Sequence, residues 1–263
     1  MSRIGKLFET LKQEQRCGMI AYLTVGDPTP AATPALVAAL ERGGADLIEL
    51  GVPFSDPIAD GPVIQRAGDR ALRAGTTLAK VLAIAAAIRK TSEVPLLLFT
   101  YLNPALRYGF ERLARDAKAV GIDGCLLTDV SVEEAEDYVR VMRDADLDTV
   151  FLAAPTSTDE RLKLVARYSS GFVYLVSRTG ITGVQSKIAD SAAVLIDRMR
   201  AHTGLPLAMG FGVSTPEHVA QLAGKVDAVV VGSAIVKQIE KDSSKLEDFV
   251  RSLTRPIAKG AIS

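Results

Sequence analysis

The sequence contains few of the residues that build metal sites or carry an excess of charge. It has two histidines and two cysteines in 263 residues, and Cys17 and Cys125 form no CxxC pair. We therefore expect no metal site, and Cys125, inside an apolar run, is expected to be a buried small hydrophobic residue. The 31 basic side chains are balanced by 31 acidic ones. Because a neutral chain has no net field to attract nucleic acid or anionic lipid, neither is expected as a partner.

Long apolar segments are also missing. No stretch reaches the ~18 apolar residues that a membrane helix needs, and the first residues, MSRIGKLFETLKQEQR, contain no apolar signal core. We expect a cytoplasmic protein without a membrane segment. No linker or break in composition divides the chain, so residues 1–263 are expected to form a single domain.

The chain does contain short apolar runs that alternate with longer helical patterns. Near-continuous hydrophobicity of this length is typical of strands buried on both faces of a parallel sheet. The predicted strands are Met19–Val25, Asp46–Val52, Val94–Thr100, Ile122–Thr128, Thr149–Ala153, Gly171–Val176, Leu205–Met209 and Val226–Val231.

The segments between these runs predict helices. They are Thr29–Gly43, Val81–Lys90, Glu111–Val120, Val130–Asp144, Thr158–Arg167, Ala189–His202 and Thr215–Ala223. Thr158, Asp190 and Thr215 are expected as N-caps, because their side-chain oxygens accept hydrogen bonds from free amides.

Eight strands that alternate with helices predict a single (β/α)8 barrel, with a doubly wound open sheet as the alternative. Before the first strand, Ile4, Leu7, Phe8 and Leu11 follow the spacing of one helix face. This extra helix is expected to cover the bottom of the barrel, which is a structural role.

In such a barrel the site lies at the carboxyl ends of the strands, which draws attention to Glu49. Strand side chains alternate, so Glu49 points into the barrel if Ile48 and Leu50 pack against helices. An unpaired carboxylate there is costly and binds its proton more tightly, which suits a general acid/base. The alternative is a buried ion pair with a lysine or arginine.

Asp60 lies in the proline-rich loop that follows the same strand. A loop aspartate is more often a turn residue, or here the cap of a helix that begins near Pro62, than a functional group. Position alone does not decide between these roles.

Glycine-bearing turns follow the last three strands: SRTGITG (177–183), GFG (210–212) and GSA (232–234). Glycine lets backbone amides approach an anion closely, and a helix amino terminus adds positive potential. The turns after strands seven and eight therefore predict a phosphate site. The stretch SRTGITGVQSK could close as a lid or could be an ordinary surface loop, in which case Arg178 and Lys187 are solvated charges.

Four aromatic residues fall in or at the ends of strands one, three and six: Tyr22, Phe99, Tyr101 and Tyr174. They either line an apolar pocket for a flat ring or simply fill the core.

The run LIELGVPFSDPIADGP (47–62) resembles the tryptophan synthase α subunit family. The resemblance continues through LFETLK, YLTVGDP, YLNP, YLVSRTGITG, GFGVSTPE and VVVGSAIVK, and it spans nearly the whole chain in order. It implies a lyase that cleaves indole-3-glycerol phosphate to indole and glyceraldehyde-3-phosphate, with no metal or cofactor in this chain.

The resemblance also implies roles for single residues. Glu49 matches the acid/base glutamate, and Asp60 matches the aspartate that accepts a hydrogen bond from the indole N–H. Positions that hold the phosphate are matched by Gly183, Gly212, Gly232 and Ser233. Positions at the indole or glycerol portion are matched by Tyr22, Ile64, Phe99 and Tyr174, and the lid threonine by Thr182. Phe99 departs from the pattern, because many relatives have an aliphatic residue there, and so does LLTDVS (126–131) at the end of the fourth strand.

The implied partner is a β subunit that carries pyridoxal phosphate, in an α2β2 assembly that passes indole between subunits. Candidate contacts lie on the top face: Pro53, Asp56, Pro57, Asn103 and Pro104. Three other functions stay open: another barrel enzyme that acts on a phosphorylated metabolite, a stand-alone lyase that releases free indole, and an inactive barrel that only activates a partner.

Overall fold

A computed structural model describes residues 2–176, 185–210 and 212–258, and within them strands and helices alternate. The strands are β1 (Gly18–Thr24), β2 (Leu47–Gly51), β3 (Leu96–Thr100), β4 (Gly124–Leu127), β5 (Asp148–Thr149), β6 (Leu152–Ala153), β7 (Val173–Leu175), β8 (Leu207–Met209) and β9 (Ala228–Val231). The helices are α1 (Arg3–Gln13), α2 (Thr33–Arg42), α3 (Pro62–Arg73), α4 (Leu78–Arg89), α5 (Leu102–Tyr108), α6 (Phe110–Ala119), α7 (Glu136–Asp144), α8 (Asp159–Tyr168), α9 (Gln185–Arg200), α10 (Pro216–Leu222), α11 (Ser233–Asp242) and α12 (Leu246–Thr254).

All strand pairs are parallel, and their order is β5-β4-β3-β2-β1-β9-β8-β7-β6. β5 and β6 are the two halves of the predicted fifth strand. The Val150 amide donates to the Cys125 carbonyl of β4 at 3.1 Å, and the Tyr174 amide of β7 donates to the Phe151 carbonyl at 3.1 Å. The fifth strand therefore joins both ends of the sheet and closes it. The (β/α)8 prediction is confirmed, and the open-sheet alternative is wrong.

Side chains along the strands alternate between two cores, as the pleat of a strand requires. Ile48 and Leu50 belong to the outer core that packs against the helices, together with Cys125, which is 1% exposed. Leu47 and Leu97 belong to the inner core inside the barrel. The predicted orientation of β2 is therefore confirmed, and residues Leu47, Glu49 and Gly51 point inward.

Helix α1 packs against this inner core through Ile4, Phe8 and Leu11, all of which are buried. Its contacts are with the amino-terminal ends of the strands: the Ser2 hydroxyl donates to the Asp148 carboxylate at the start of β5. The Phe8 and Phe172 rings lie 5.7 Å apart between centroids. The helix thus lies at the end of the barrel opposite to the loops that carry the candidate site residues.

Two helices, rather than one, follow β2, β3 and β9. The helices α5 and α11 come directly after their strands, and α3 follows β2 after the loop 52–61. The helices α4, α6 and α12 then return along the barrel wall. Helix α3 was expected only as a helix that begins near Pro62, and the prediction omitted α5, α11 and α12. The buried residues Leu246, Val250 and Leu253 of α12 nevertheless follow the spacing of one helix face. These additional helices matter because α3 and α11 begin next to candidate site residues.

Helix starts were predicted correctly where a threonine supplies the cap. Thr158 accepts from the Arg161 amide and Thr215 from the His218 amide. The predicted cap at Asp190 is wrong, because α9 begins at Gln185 and Asp190 lies inside it.

Within the described residues, no single helix is long and apolar enough to cross a membrane. The consecutive helices α3 and α4 reach that length and apolar content only when taken together, and they are bent by 94° relative to each other.

Candidate active site

Glu49 projects from β2 into the upper part of the barrel. It is 1% exposed, and its Oε1 atom has no hydrogen-bond partner among the described residues. Burial raises the pKa of this carboxyl to about 8, since the charged form loses its hydration and gains no compensating partner. Within the part of the chain that the structure describes, no basic side chain pairs with Glu49, so the alternative of a buried ion pair has no support there. Glu49 is instead a neutral acid near pH 7 that can give up a proton when charge develops beside it.

Aromatic rings surround this carboxyl. Tyr22 of β1 is the register partner of Glu49, and its ring packs edge-on against Phe99 of β3 at 5.3 Å. Glu49 also contributes to the raised pKa of Tyr174 on β7, although burial is the larger cause. The Tyr174 hydroxyl lies 3.0 Å from where a Cβ on Gly210 would stand, so this ring crosses toward β8. Three strands therefore bring predicted pocket residues around one carboxyl.

The absence of a side chain at Gly51 makes room for Tyr22. A Cβ at this position would lie 2.2 Å from the Tyr22 hydroxyl oxygen, which is far inside van der Waals contact. The Tyr22 hydroxyl instead lies 3.4 Å from the Thr24 hydroxyl. Glycine is required at the end of β2 because the tyrosine ring fills the space that a side chain would take.

Asp60 is half-buried in the loop that connects β2 to α3. The residue at the cap position of α3 is Gly61, which makes no side-chain cap bond, so Asp60 is not the helix cap. Burial raises the pKa of the Asp60 carboxyl, and a hydrogen bond with Tyr101 opposes that rise. The Tyr101 hydroxyl also accepts from the Ala59 amide at 3.0 Å. Tyr101, at the end of β3, therefore fixes the loop segment that carries Asp60.

Apolar side chains extend the pocket from Tyr22 toward the helices. Tyr22 shares a small cluster with Ala67 of α3 and Val236 of α11, and Ile64 and Phe99 pack against it. Ile64 therefore extends the apolar surface of the Tyr22–Phe99 pair toward α3.

The glycine turns after β8 and β9 lie at the same end of the barrel as Glu49. Gly232 caps α11, and Ser233 is its first residue, so free amides of the first helical turn are presented there. A Cβ on Gly232 would lie 3.5 Å from the Tyr22 Cβ, which places this turn beside the aromatic pocket. Gly212 is exposed and has a φ of +69°. The other predicted residues of the phosphate turns and lid, Thr182 and Gly183, lie outside the described residues, as does Arg178.

The residues predicted to contact a partner lie on the loop after β2 and on α5. Asp56 and Asn103 are exposed, Pro57 and Pro104 are half-buried, and Pro53 is buried. The Phe54 and Tyr101 rings, 5.2 Å apart between centroids, connect the two segments. The candidate partner surface and the Asp60 loop therefore share Tyr101 as a support.

One ion cluster beside the site was missed by the sequence analysis. Asp27, 2% exposed in the turn after β1, receives two hydrogen bonds from Arg70 of α3. Asp27 belongs to the YLTVGDP motif, and an aspartate in an apolar turn needs a buried cation. Because Arg70 lies 43 residues further along the chain, no local pattern pairs the two.

A family model for the tryptophan synthase alpha chain matches residues 8–259. The chain is 68% identical over 262 residues to the tryptophan synthase alpha chain of Solibacter usitatus, covering 99% of this chain and 98% of the relative. It is 45% identical to that of a Geobacter species, strain M21, covering 99% of this chain and 100% of the relative. This chain belongs to the tryptophan synthase alpha chain family.

Solved structures of tryptophan synthases agree with this membership. The subunit alpha of Legionella pneumophila superposes with a TM-score of 0.92 at 36% identity, covering 98% of each chain. A tryptophan synthase structure from Mycobacterium tuberculosis has a TM-score of 0.92 at 37% identity, covering 98% of this chain and 99% of that one. Tryptophan synthase alpha chains are lyases of tryptophan biosynthesis built on the barrel described above.

Proposed function

We propose that Glu49 and Asp60 carry out the reaction of this tryptophan synthase alpha chain, the cleavage of indole-3-glycerol phosphate to indole and glyceraldehyde-3-phosphate. The observation that carries the proposal is the buried Glu49 carboxyl, which has a pKa of about 8 and an oxygen that no described residue pairs with. A group of this kind, set among aromatic rings at the carboxyl ends of barrel strands, is suited to proton transfer to an apolar substrate.

Cleavage of the bond between indole C3 and the glycerol chain begins with proton transfer to C3. Neutral Glu49 delivers its proton to C3, and the positive charge that results spreads to N1 of the indolenine. The Glu49 carboxylate then removes the proton from the hydroxyl on the adjacent chain carbon. The C–C bond electrons return to the ring, which yields indole and the aldehyde, and Glu49 is again protonated. A single residue completes the cycle because it gives and takes one proton.

Asp60 stabilises the cation at the other edge of the ring. Its carboxylate accepts a hydrogen bond from N1–H, which strengthens as the ring becomes positive. Asp60 suits this role because it is only half-buried and because Tyr101 opposes the rise of its pKa. The two carboxyl groups thus differ in environment as their tasks require: Glu49 is held neutral, and Asp60 has support for its charge.

Different residues are proposed to bind the phosphate end and the indole end of the substrate. The amides at the start of α11, with Gly232 and Ser233, are proposed to bind the phosphate, because the helix amino terminus attracts an anion. Gly212 is proposed to contribute from the turn after β8. The indole ring is proposed to lie among Tyr22, Ile64 and Phe99, with Tyr101 and Tyr174 at its edges.

Tryptophan synthase alpha chains hold no cofactor of their own and work with a β subunit that carries pyridoxal phosphate and receives indole. We propose that Asp56, Pro57, Asn103 and Pro104 contact that subunit in an α2β2 assembly, because they lie on the two segments that Phe54 and Tyr101 connect beside Asp60. Pro53, predicted as a further contact, is buried in the same loop. The cytoplasm is the proposed compartment, since the buried thiols Cys17 and Cys125 are unpaired.

The experiment that tests the function is product analysis of purified chain with indole-3-glycerol phosphate, alone and with a β subunit of a close relative. Equal amounts of indole and glyceraldehyde-3-phosphate are expected, at a rate that rises when the β subunit is added. Full activity without the β subunit would favour a stand-alone lyase. Failure to cleave in either condition would refute the assignment and favour a barrel that only activates its partner.

A further inference from the structure

A cluster of charged side chains joins three elements beside the site. The Arg70 guanidinium of α3 donates from Nε and Nη2 to the Asp27 carboxylate, at 2.7 and 2.9 Å. Its third nitrogen, Nη1, donates to Glu240 of α11 at 2.8 Å. Arg66, one turn earlier on α3, also contacts Glu240 at 3.3 Å. One guanidinium therefore connects the turn after β1, helix α3 and helix α11.

Burial distinguishes the Arg70–Asp27 pair from the surface pairs of this chain. The Asp27 side chain is 3% exposed and that of Arg70 is 28% exposed. Asp27 needs a cation there because an isolated buried carboxylate is costly. The turn that carries Asp27 is further held by Thr76, just beyond α3: a Cβ on Gly26 would lie 2.0 Å from the Thr76 hydroxyl oxygen. The end of α3 is thus fixed firmly to the turn after β1.

The two helices that Arg70 joins each begin at one end of the proposed substrate site. Helix α3 begins two residues after Asp60, at the indole end, and α11 begins at Ser233, at the phosphate end. Ala67, in the second turn of α3, and Val236, in the first turn of α11, share an apolar cluster with Tyr22. Arg70 and Glu240 lie nearer the carboxyl ends of the two helices. The helices therefore run side by side in the same direction, with an apolar contact near the site and an ionic contact beyond it.

We propose that Arg70 is a positioning residue that sets the distance between the indole and phosphate ends of the site. The inference rests on the proposed function, because those two ends are defined by the substrate. A substrate that spans both ends gains binding free energy from the two ends together only when the distance between them matches the length of the substrate. A change in that spacing affects the whole substrate, whereas a fragment that occupies one end is unaffected.

This difference between fragment and substrate supplies the test. Arg70→Met removes the link, and Arg70→Lys keeps the charge but not the planar fork that reaches two carboxylates. The variants and the wild type are assayed for cleavage of indole-3-glycerol phosphate with the β subunit. The chain alone is titrated with indole and with glycerol 3-phosphate, each of which probes one end.

We expect Arg70→Met to reduce kcat/KM by about tenfold to a hundredfold while the affinity for each fragment stays at the wild-type value. The kcat/KM of Arg70→Lys should lie between those of Arg70→Met and the wild type. The matched control is Arg16→Met, because Arg16 binds Asp46 through two hydrogen bonds of 2.9 and 2.7 Å with similar burial at the start of β2, at the opposite end of the barrel. Arg16→Met should lower the melting temperature and leave kcat/KM unchanged.

Unchanged kcat/KM in both Arg70 variants would overturn the inference and leave the proposed function intact. An equal loss in kcat/KM for the substrate and in affinity for both fragments would also overturn it, since that result indicates a general loss of structure. A wild-type chain that does not cleave the substrate refutes the proposed function itself, and the inference with it. Substrate-specific loss in Arg70→Lys, which retains the positive charge needed beside Asp27, supports it.

Discussion

The burial of Glu49 predicts how the free energy of unfolding changes with pH. A carboxyl whose pKa is about 8 in the folded chain, against 4.5 as its ordinary value, stays protonated on folding when the unfolded chain would ionise. The unfolded state then binds fewer protons, so stability falls as pH rises from about 4.5 to about 8 and is level outside this window. Replacement by glutamine removes this penalty, because the amide does not titrate.

The magnitude follows from the two pKa values. At about pH 5.5 the penalty is about 1 kcal/mol, and at about pH 8 it is about 4 kcal/mol. The free energy of unfolding of Glu49→Gln minus that of the wild type should therefore increase by about 3 kcal/mol between these conditions. Any cost of burying the amide itself is the same at both pH values and cancels from the comparison.

Urea unfolding followed by circular dichroism measures the difference at each pH. Glu111→Gln, at an exposed position of α6, is the matched control and should show no comparable change. A difference between wild type and Glu49→Gln that does not depend on pH would refute the reasoning. That result would mean that Glu49 is ionised in the folded chain and has a charged partner, which is the ion-pair alternative.

Other predictions concern activity and packing. kcat/KM should decline above about pH 8 as free Glu49 loses the proton that C3 requires, and a flat profile across that range would contradict its role as the acid. Gly51→Ala should displace the Tyr22 ring and reduce both cleavage and stability, the latter by about 1–3 kcal/mol in urea unfolding. In a Tyr22→Ala background, which removes the hydroxyl and ring carbons that the new Cβ would meet at 2.2, 2.5 and 2.6 Å, the same change should cost much less stability, and an equal cost in both backgrounds would contradict the clash. Phe172→Ala should destabilise the chain by about 3–5 kcal/mol in thermal or urea unfolding, since this ring is 0% exposed beneath α1, and a loss below about 1 kcal/mol would contradict its placement in the inner core.

The sequence was sufficient to predict the barrel and the direction of Glu49. Both depend on local regularities: apolar runs of strand length, and the alternation that places Leu47 and Glu49 on one side and Ile48 on the other. The split of the fifth strand was not predictable, because Val150 and Phe151 are both apolar. Only the closure of the ring, in which each bonds to a different neighbouring strand, separates β5 from β6.

The roles of loop residues required contacts between distant parts of the chain. Asp60 could have been a helix cap from its position alone, and the structure distinguishes the roles through Tyr101, which comes from the next strand. The Asp27–Arg70 pair was also not predictable from local sequence, since the two residues come into contact only when α3 packs against the turn after β1. Neither pairing leaves a local pattern, whereas the resemblance to known alpha chains identified Asp60 without any geometry.

The central claim is that Glu49 moves the protons and Asp60 stabilises the cationic ring. The most direct measurement is the rate of indole release from saturating indole-3-glycerol phosphate by the wild type, Glu49→Gln and Asp60→Asn, each assembled with the β subunit. Asp69→Asn, an exposed carboxylate on α3, is the control. The account predicts that kcat falls at least about a hundredfold in both site variants and is unchanged in the control, while all four chains still bind glycerol 3-phosphate. Wild-type kcat in either Glu49→Gln or Asp60→Asn would contradict it.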